Sequence, residues 1–305
     1  MVFLRLARAP STRLRLMFAF LCVVWGTTWL AMKAGVTVVP PGSFSGTRWT
    51  MAAMLLLGWR WWKELPIRVP PRLYGRLALV GLLMVALNAS IQQYGLRQIG
   101  SGLAAVITSG ITPVALLGFS IGMGQERFSW RQAGAILLGL AGIALLFGPK
   151  ALAGRLSGAE LWGAAGVLAG CFCYCAGSVV ARPLMRTLPP AQVAAITNLV
   201  GGVILLVGSL LFEPGVGEAL AFHWGAAAWA GWLFLLLPGS LGATIIYFVL
   251  VRDWGASRAG TYAFVSPVIA VLLGVAVYGE AVGLLDALGI ALMLGAAALV
   301  IRRAA

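Results

Sequence analysis

Asn88 and Gln92 stand four residues apart inside a long apolar stretch, and so do Thr108 and Thr112, Tyr174 and Ser178, and Tyr262 and Ser266. Four residues is little more than one helical turn, so each pair brings two polar side chains to one helix face. Trp25 and Trp29 form an aromatic pair at the same spacing, with Thr28 beside them, and Tyr247 follows Thr244 on another apolar run. Gathered around one space, these groups would make aromatic walls with uncharged hydrogen-bonding points, suited to a small zwitterion with an apolar side chain. The same Ser, Thr and Asn side chains can instead glue helices together, and aromatic rings can face lipid. Asn88 and Gln92 are better cavity candidates than the Ser and Thr residues, because paired amides deep in a span need partners that lipid does not supply.

Bond-making chemistry is poorly served. The chain has a single histidine, His223, no cluster of His and Glu, and no glycine-rich phosphate loop. Gly142 to Gly148-Pro149-Lys150 lacks both the spacing and the Ser/Thr of one. Cys171, Cys173 and Cys175 lie within an apolar run at a spacing that points helical side chains apart, so they read as packing residues and not as metal ligands. No catalytic residue, metal site or cofactor is expected.

The elements that must position these residues follow from composition. Of 305 residues, 61% are hydrophobic and 10% charged, against roughly 45–50% and about 25% in a soluble domain. A helix needs about 20 apolar residues to cross a bilayer, where its backbone must satisfy itself. Apolar runs predict ten such helices near Leu16–Gly35, Phe44–Trp62, Tyr74–Gly95, Gly102–Met123, Trp130–Phe147, Leu161–Arg182, Ala191–Phe212, Trp224–Val251, Arg258–Tyr278 and Val282–Ile301. The fold class is all-α and integral to the membrane, and Pro238 marks the eighth segment as broken or kinked. The N-terminal basic residues before Leu16 resemble a signal peptide, but the run ends without a small-residue cleavage site and reads as an uncleaved first helix.

A net charge of +14 is carried by Lys and Arg residues standing singly or in pairs between apolar runs, which indicates membrane topology and not nucleic acid. With the N-terminus placed in the cytoplasm, 17 of the 22 fall on the inner side: Arg5, Arg8, Arg13, Arg15, Arg60, Lys63, Arg68, Arg72, Arg76, Arg127, Arg131, Arg182, Arg186, Arg252, Arg258, Arg302 and Arg303. That bias predicts an even number of spans in an inner-membrane protein with both termini cytoplasmic. Lys33 and Arg48, near the outer ends of their helices, are expected to snorkel to the headgroups, the alternative being that one meets a substrate carboxylate at the outer mouth. Glu126 and Glu280 read as interfacial. No acidic residue lies mid-span, which argues against a proton relay of buried carboxylates and for facilitative or indirectly coupled movement.

The chain also repeats itself. Pro113 precedes Glu126 by the same interval that separates Pro267 from Glu280, with glycines upstream of both prolines and a small-residue helix beyond both glutamates. Two five-helix units, 14–148 and 159–302, fit this pattern. Five is odd, so the second unit enters the membrane from the opposite side, and such inverted repeats can rock to open a midplane site to either face. Pro113 and Pro267 each remove a helix donor and are candidate hinges, or else static kinks.

Val24-Trp25-Gly26-Thr27-Thr28-Trp29, with Lys33 beyond it, resembles the opening of an EamA unit of the drug/metabolite transporter superfamily. Arg48-Trp49-Thr50-Met51-Ala52-Ala53 resembles its second helix, and the two Pro-to-Glu stretches resemble the fourth helix of each unit. In the second unit Cys173-Tyr174-Cys175-Ala176-Gly177-Ser178 replaces the Trp-Gly opening. Within the family the chain looks most like YddG-type amino acid exporters. That resemblance implies a ten-helix bundle around a central cavity and export of aromatic or neutral amino acids, or related metabolites, by alternating access. A multidrug or other metabolite permease and a lipid flippase are the alternatives of the same fold. The expected partners are the substrate and the lipid bilayer, with a monomer as the working unit.

Overall fold

The computed structural model describes residues 11–152, 157–278 and 283–301. Arg5, Arg8, Arg155, Glu280, Arg302 and Arg303 lie outside them. A chain this apolar must pair its backbone donors and acceptors locally, and the described residues do so as helices joined by short turns.

Among the described residues ten long helices run in order: α1 Ser11–Val36, α2 Pro41–Trp62, α3 Pro71–Gln98, α4 Ser101–Gly122 and α5 Trp130–Leu152, then α6 Gly158–Ala181, α7 Pro190–Phe212, α8 Ala226–Trp254, α9 Tyr262–Tyr278 and α10 Leu284–Ile301. Proline opens α2, α3 and α7, where its fixed φ suits the first turn and its missing N–H costs nothing. A capping box opens α6: Glu160 N donates to Ser157 Oγ (3.3 Å) and Ser157 N donates to Glu160 Oε2 (2.8 Å). Gly255, at φ +91°, lets the chain leave α8 at an angle that other residues rarely adopt.

Among the described residues, seven helices are long and apolar enough to cross a membrane: α1, α3, α4, α6, α7, α8 and α10. The other three differ for physical reasons. Arg48, Arg60 and several polar residues dilute α2; the apolar part of α5 is Trp130–Leu145; and α9 has 17 residues.

Two helices widen into π turns, Gly81–Leu87 in α3 and Leu235–Ala243 in α8. Pro238 accounts for the second, since its ring removes a donor from the helical ladder. The first contains no proline and was not foreseen from the sequence.

Packing repeats across the bundle. α2 lies along α7 and α5 along α10; α3 packs on α6 as α8 packs on α1; α4 meets α6 as α9 meets α1, and α4 meets α9. Shifting every helix number by five returns the same set of pairs. Close approach rests on glycine, because small residues let helix backbones touch in an apolar solvent. A Cβ at Gly202 would stand 2.6 Å from Thr50 N on α2, and one at Gly142 of α5 would stand 2.7 Å from Gly289 O on α10.

Gly202→Ala is therefore expected to lower stability by about 1–3 kcal/mol, the usual cost of overpacking. Gly118→Ala, with nothing within 4 Å of its added methyl, leaves stability unchanged. Unfolding midpoints in detergent check the pair; equal midpoints would show that α2 and α7 are not tightly packed there.

Candidate functional site

Eight helices enclose a cavity of about 160 Å³. By that measure it exceeds roughly tenfold the space a single water needs. α1, α2, α3 and α4 wall it from one side of the sequence and α6, α7, α8 and α9 from the other, while α5 and α10 stand outside and pack on each other. Both π turns border it, through Met84, Val85, Leu235 and Gly239. A π turn pushes the helix surface out of register, which is how such turns come to line sites.

Trp25 is the hub of its aromatic wall. Its ring lies edge-on to Tyr262 (centroids 4.5 Å apart) and to Tyr174 (6.1 Å), and tilted against Tyr247 (5.0 Å). Tyr174 and Tyr247 also touch, at 5.6 Å. Edge-to-face packing of this kind fixes each ring by its neighbours.

Hydrogen bonding divides the polar residues into two groups. Thr28 Oγ1 donates to Trp25 O and Thr108 Oγ1 to Ala104 O, each at 2.8 Å, so both hydroxyl protons are used within their own helices. By contrast Arg48 Nε, Trp49 Nε1, Asn88 Oδ1, Gln93 Oε1, Tyr174 OH and both side-chain amide atoms of Asn198 are buried with no hydrogen-bond partner among the described residues. All six residues line this one cavity. Leaving such atoms unmet costs free energy, which a bound polar molecule can recover.

Trp25, Thr28, Asn88, Gln92, Thr108, Tyr174 and Tyr262, singled out from the sequence, open onto the cavity. Thr112, Ser178, Tyr247 and Ser266 stand behind the wall. Thr112 Oγ1 lies 3.2 Å from Cys171 Sγ, Ser178 Oγ 2.5 Å from Tyr247 OH, and Ser266 Oγ donates to Cys22 O at 3.2 Å. Ser266 and Pro267 border a smaller neighbouring space of about 40 Å³ shared with Trp25, Thr108 and Tyr262. Pro113 lies away from the main cavity, and α4 and α9 both run through their prolines without a break.

Two expectations are corrected. Arg48 does not snorkel: it is 5% exposed and forms part of the cavity wall, held by a bond from Nη1 to Ser240 Oγ (2.7 Å) and by lying 4.4 Å over the Trp49 ring. Lys33 does not reach for headgroups either. Its Nζ donates to Leu96 O (2.6 Å) and Ile99 O (2.9 Å), capping the end of α3, while Arg97 of α3 donates from Nε to Val36 O (2.9 Å) at the end of α1. Each helix thus supplies a cation to the carbonyl end of the other. Glu213, at the end of α7, does the converse by accepting from Gly42 N (2.9 Å) at the start of α2 and from Tyr94 OH (2.5 Å).

Sequence reasoning placed Arg48 at the outer end of its helix and not in the cavity wall, and it passed over Trp49, Gln93, Thr197 and Asn198 as lining residues. The adjacent Thr197 and Asn198, within the apolar run of α7, carried the same signal that marked Asn88 and Gln92.

The chain matches the family described as EamA-like transporter family twice, over residues 14–148 and 161–302. It is 33% identical to the Escherichia coli K12 protein "Uncharacterized inner membrane transporter YedA", across 92% of this chain and 88% of that one. It is 26% identical to "Protein PagO" of Salmonella typhimurium, across 88% and 86%. A chain of known crystal structure superposes with a TM-score of 0.74 at 21% identity, covering 96% of this chain and 98% of that one, which shows a shared fold.

Lys33→Met keeps the length of the side chain and removes its donors. Leaving the Leu96 and Ile99 carbonyls unpaired is expected to lower stability by about 1–3 kcal/mol. A thermal unfolding midpoint in detergent equal to that of the parent would restore the snorkelling reading.

Proposed function

This chain belongs to the EamA-like transporter family, and from that premise we propose that it exports neutral or aromatic amino acids, or closely related small metabolites, by alternating access of the central cavity. It is a multi-pass inner-membrane transporter, and the ten helices are read as ten spans forming two inverted units, 14–148 and 159–302. The packing of α1 to α5 and of α6 to α10, interchangeable by a shift of five, supports that reading. So does a cavity drawing four helices from each unit, since rocking one unit against the other would open it to alternate faces. Pro113 and Pro267 are the proposed hinges, both termini are placed in the cytoplasm by the Lys and Arg bias, and the monomer is the working unit. No acidic side chain lines the cavity among the described residues, which favours facilitative over carboxylate-relayed transport.

One observation carries the choice of substrate: a cavity of about 160 Å³ with an aromatic hub and buried polar atoms awaiting partners. Pockets for drug-sized ligands measure roughly 300–1,000 Å³, and the smaller cavity favours a small metabolite over the multidrug and flippase readings. The aromatic wall suits an apolar side chain, and the unmet donors and acceptors suit a zwitterionic head.

Proteoliposomes holding the purified chain are expected to show saturable counterflow of labelled phenylalanine, tryptophan or leucine, each competing with the others. Counterflow absent for all amino acids, with movement of a cationic dye or headgroup-labelled lipid instead, would replace this reading by one of the alternatives.

A further inference from the structure

We infer that Arg48 receives the carboxylate of the transported molecule, which restricts the cavity to solutes carrying that group. The inference rests on the carrier reading above and adds the chemistry by which the site selects.

A guanidinium keeps its charge, and this one is almost fully removed from solvent. Its contacts orient it without neutralising it: a hydroxyl at Ser240 and the face of Trp49. Among the described residues no Asp or Glu lines the cavity, so the space carries one positive charge and no counter-ion from the wall. An unpaired buried cation is costly, and the arrangement is retained at lower cost if an anion arrives during the transport cycle. Carboxylate is the anion whose planar pair of oxygens matches a guanidinium fork.

The neighbouring atoms agree. Arg48 Nε and Trp49 Nε1 are donors without protein partners, on the same helix as each other, and the Asn198 amide on α7 offers a third. Acceptors without partners, Asn88 Oδ1 and Tyr174 OH, lie on α3 and α6. They form a setting for an ammonium group, held by uncharged oxygens instead of by a carboxylate, while the aromatic wall is left to the side chain. The carboxylate contact is charge-assisted on both sides and the ammonium contact is not. Loss of the carboxylate therefore weakens binding far more than loss of the amine.

Four compounds separate the groups: phenylalanine, 3-phenylpropionate, phenylalaninamide and phenethylamine, each competing against labelled phenylalanine in counterflow by the full chain. 3-Phenylpropionate is expected to compete within about tenfold of phenylalanine, and the two compounds without a carboxylate to be weaker by about 10–100-fold, the span of one charged hydrogen-bonding contact. Arg48→Gln is expected to lose the same factor for the carboxylates and little for the others, Arg48→Lys to restore part of it, and Trp49→Phe to lose a few-fold. Should Arg48→Gln fail to fold, the compound series on the parent and the other two variants still decide. Phenylalaninamide competing as well as phenylalanine, or Arg48 variants weakening all four compounds equally, would overturn the assignment and leave the amino acid carrier standing. If no amino acid counterflows, yet 3-phenylpropionate raises the unfolding midpoint of the parent and not of Arg48→Gln, the carboxylate site stands and the amino acid reading falls. No thermal or transport response to any carboxylate would overturn the site.

Discussion

Inside a lipid bilayer a polar atom must find its partner within the protein, because the solvent offers none. The ends of the helices obey this constraint through one another. Lys33 and Arg97 close the carbonyl ends of α3 and α1, and Glu213 closes the amide end of α2. In mid-bundle the pattern reverses: unmet atoms on Arg48, Trp49, Asn88, Gln93, Tyr174 and Asn198 gather around one space. The others fall mainly near helix ends, as on Arg60, Gln125, Ser257 and Arg258. Where several such atoms gather at the centre of a fold, water or a bound polar molecule must supply the partners that the protein does not.

Making that space requires helices that touch closely at some lines and part at others. Glycine provides the touching, at Gly202 between α7 and α2 and at Gly142 between α5 and α10. The π turns of α3 and α8 provide the parting, and those two helices occupy equivalent places in the set of packed pairs. The rings around Trp25 then keep the opened space from collapsing, each held edge-on or tilted by the next. Ser178 and Thr112 serve from behind the wall, one holding Tyr247 and the other Cys171.

Much of this was legible in the sequence, and the failures have specific causes. Hydropathy located the helices to within a few residues because crossing lipid demands long apolar runs, and Pro238 announced the irregularity in α8. The π turn of α3 left no mark, since Gly81–Leu87 is apolar and free of proline; there α3 lies close against α7, at Gly81 and at Gly201. Helical spacing put Tyr174 and Ser178 on one face, but a face is broad enough for one residue to line the cavity while its neighbour one turn on lies behind. Arg48 and Lys33 were misplaced because a long cationic side chain near a helix end reads the same whether it turns outward to headgroups or inward to a neighbouring helix.

The central claim concerns how a substrate lies in the cavity, and a structure of the chain with phenylalanine bound tests it most directly. The account predicts carboxylate oxygens within hydrogen-bonding distance of the Arg48 guanidinium, with the side chain against Trp25 and Tyr262. Density for the amino acid outside this cavity, or with its carboxylate directed away from Arg48, would contradict it.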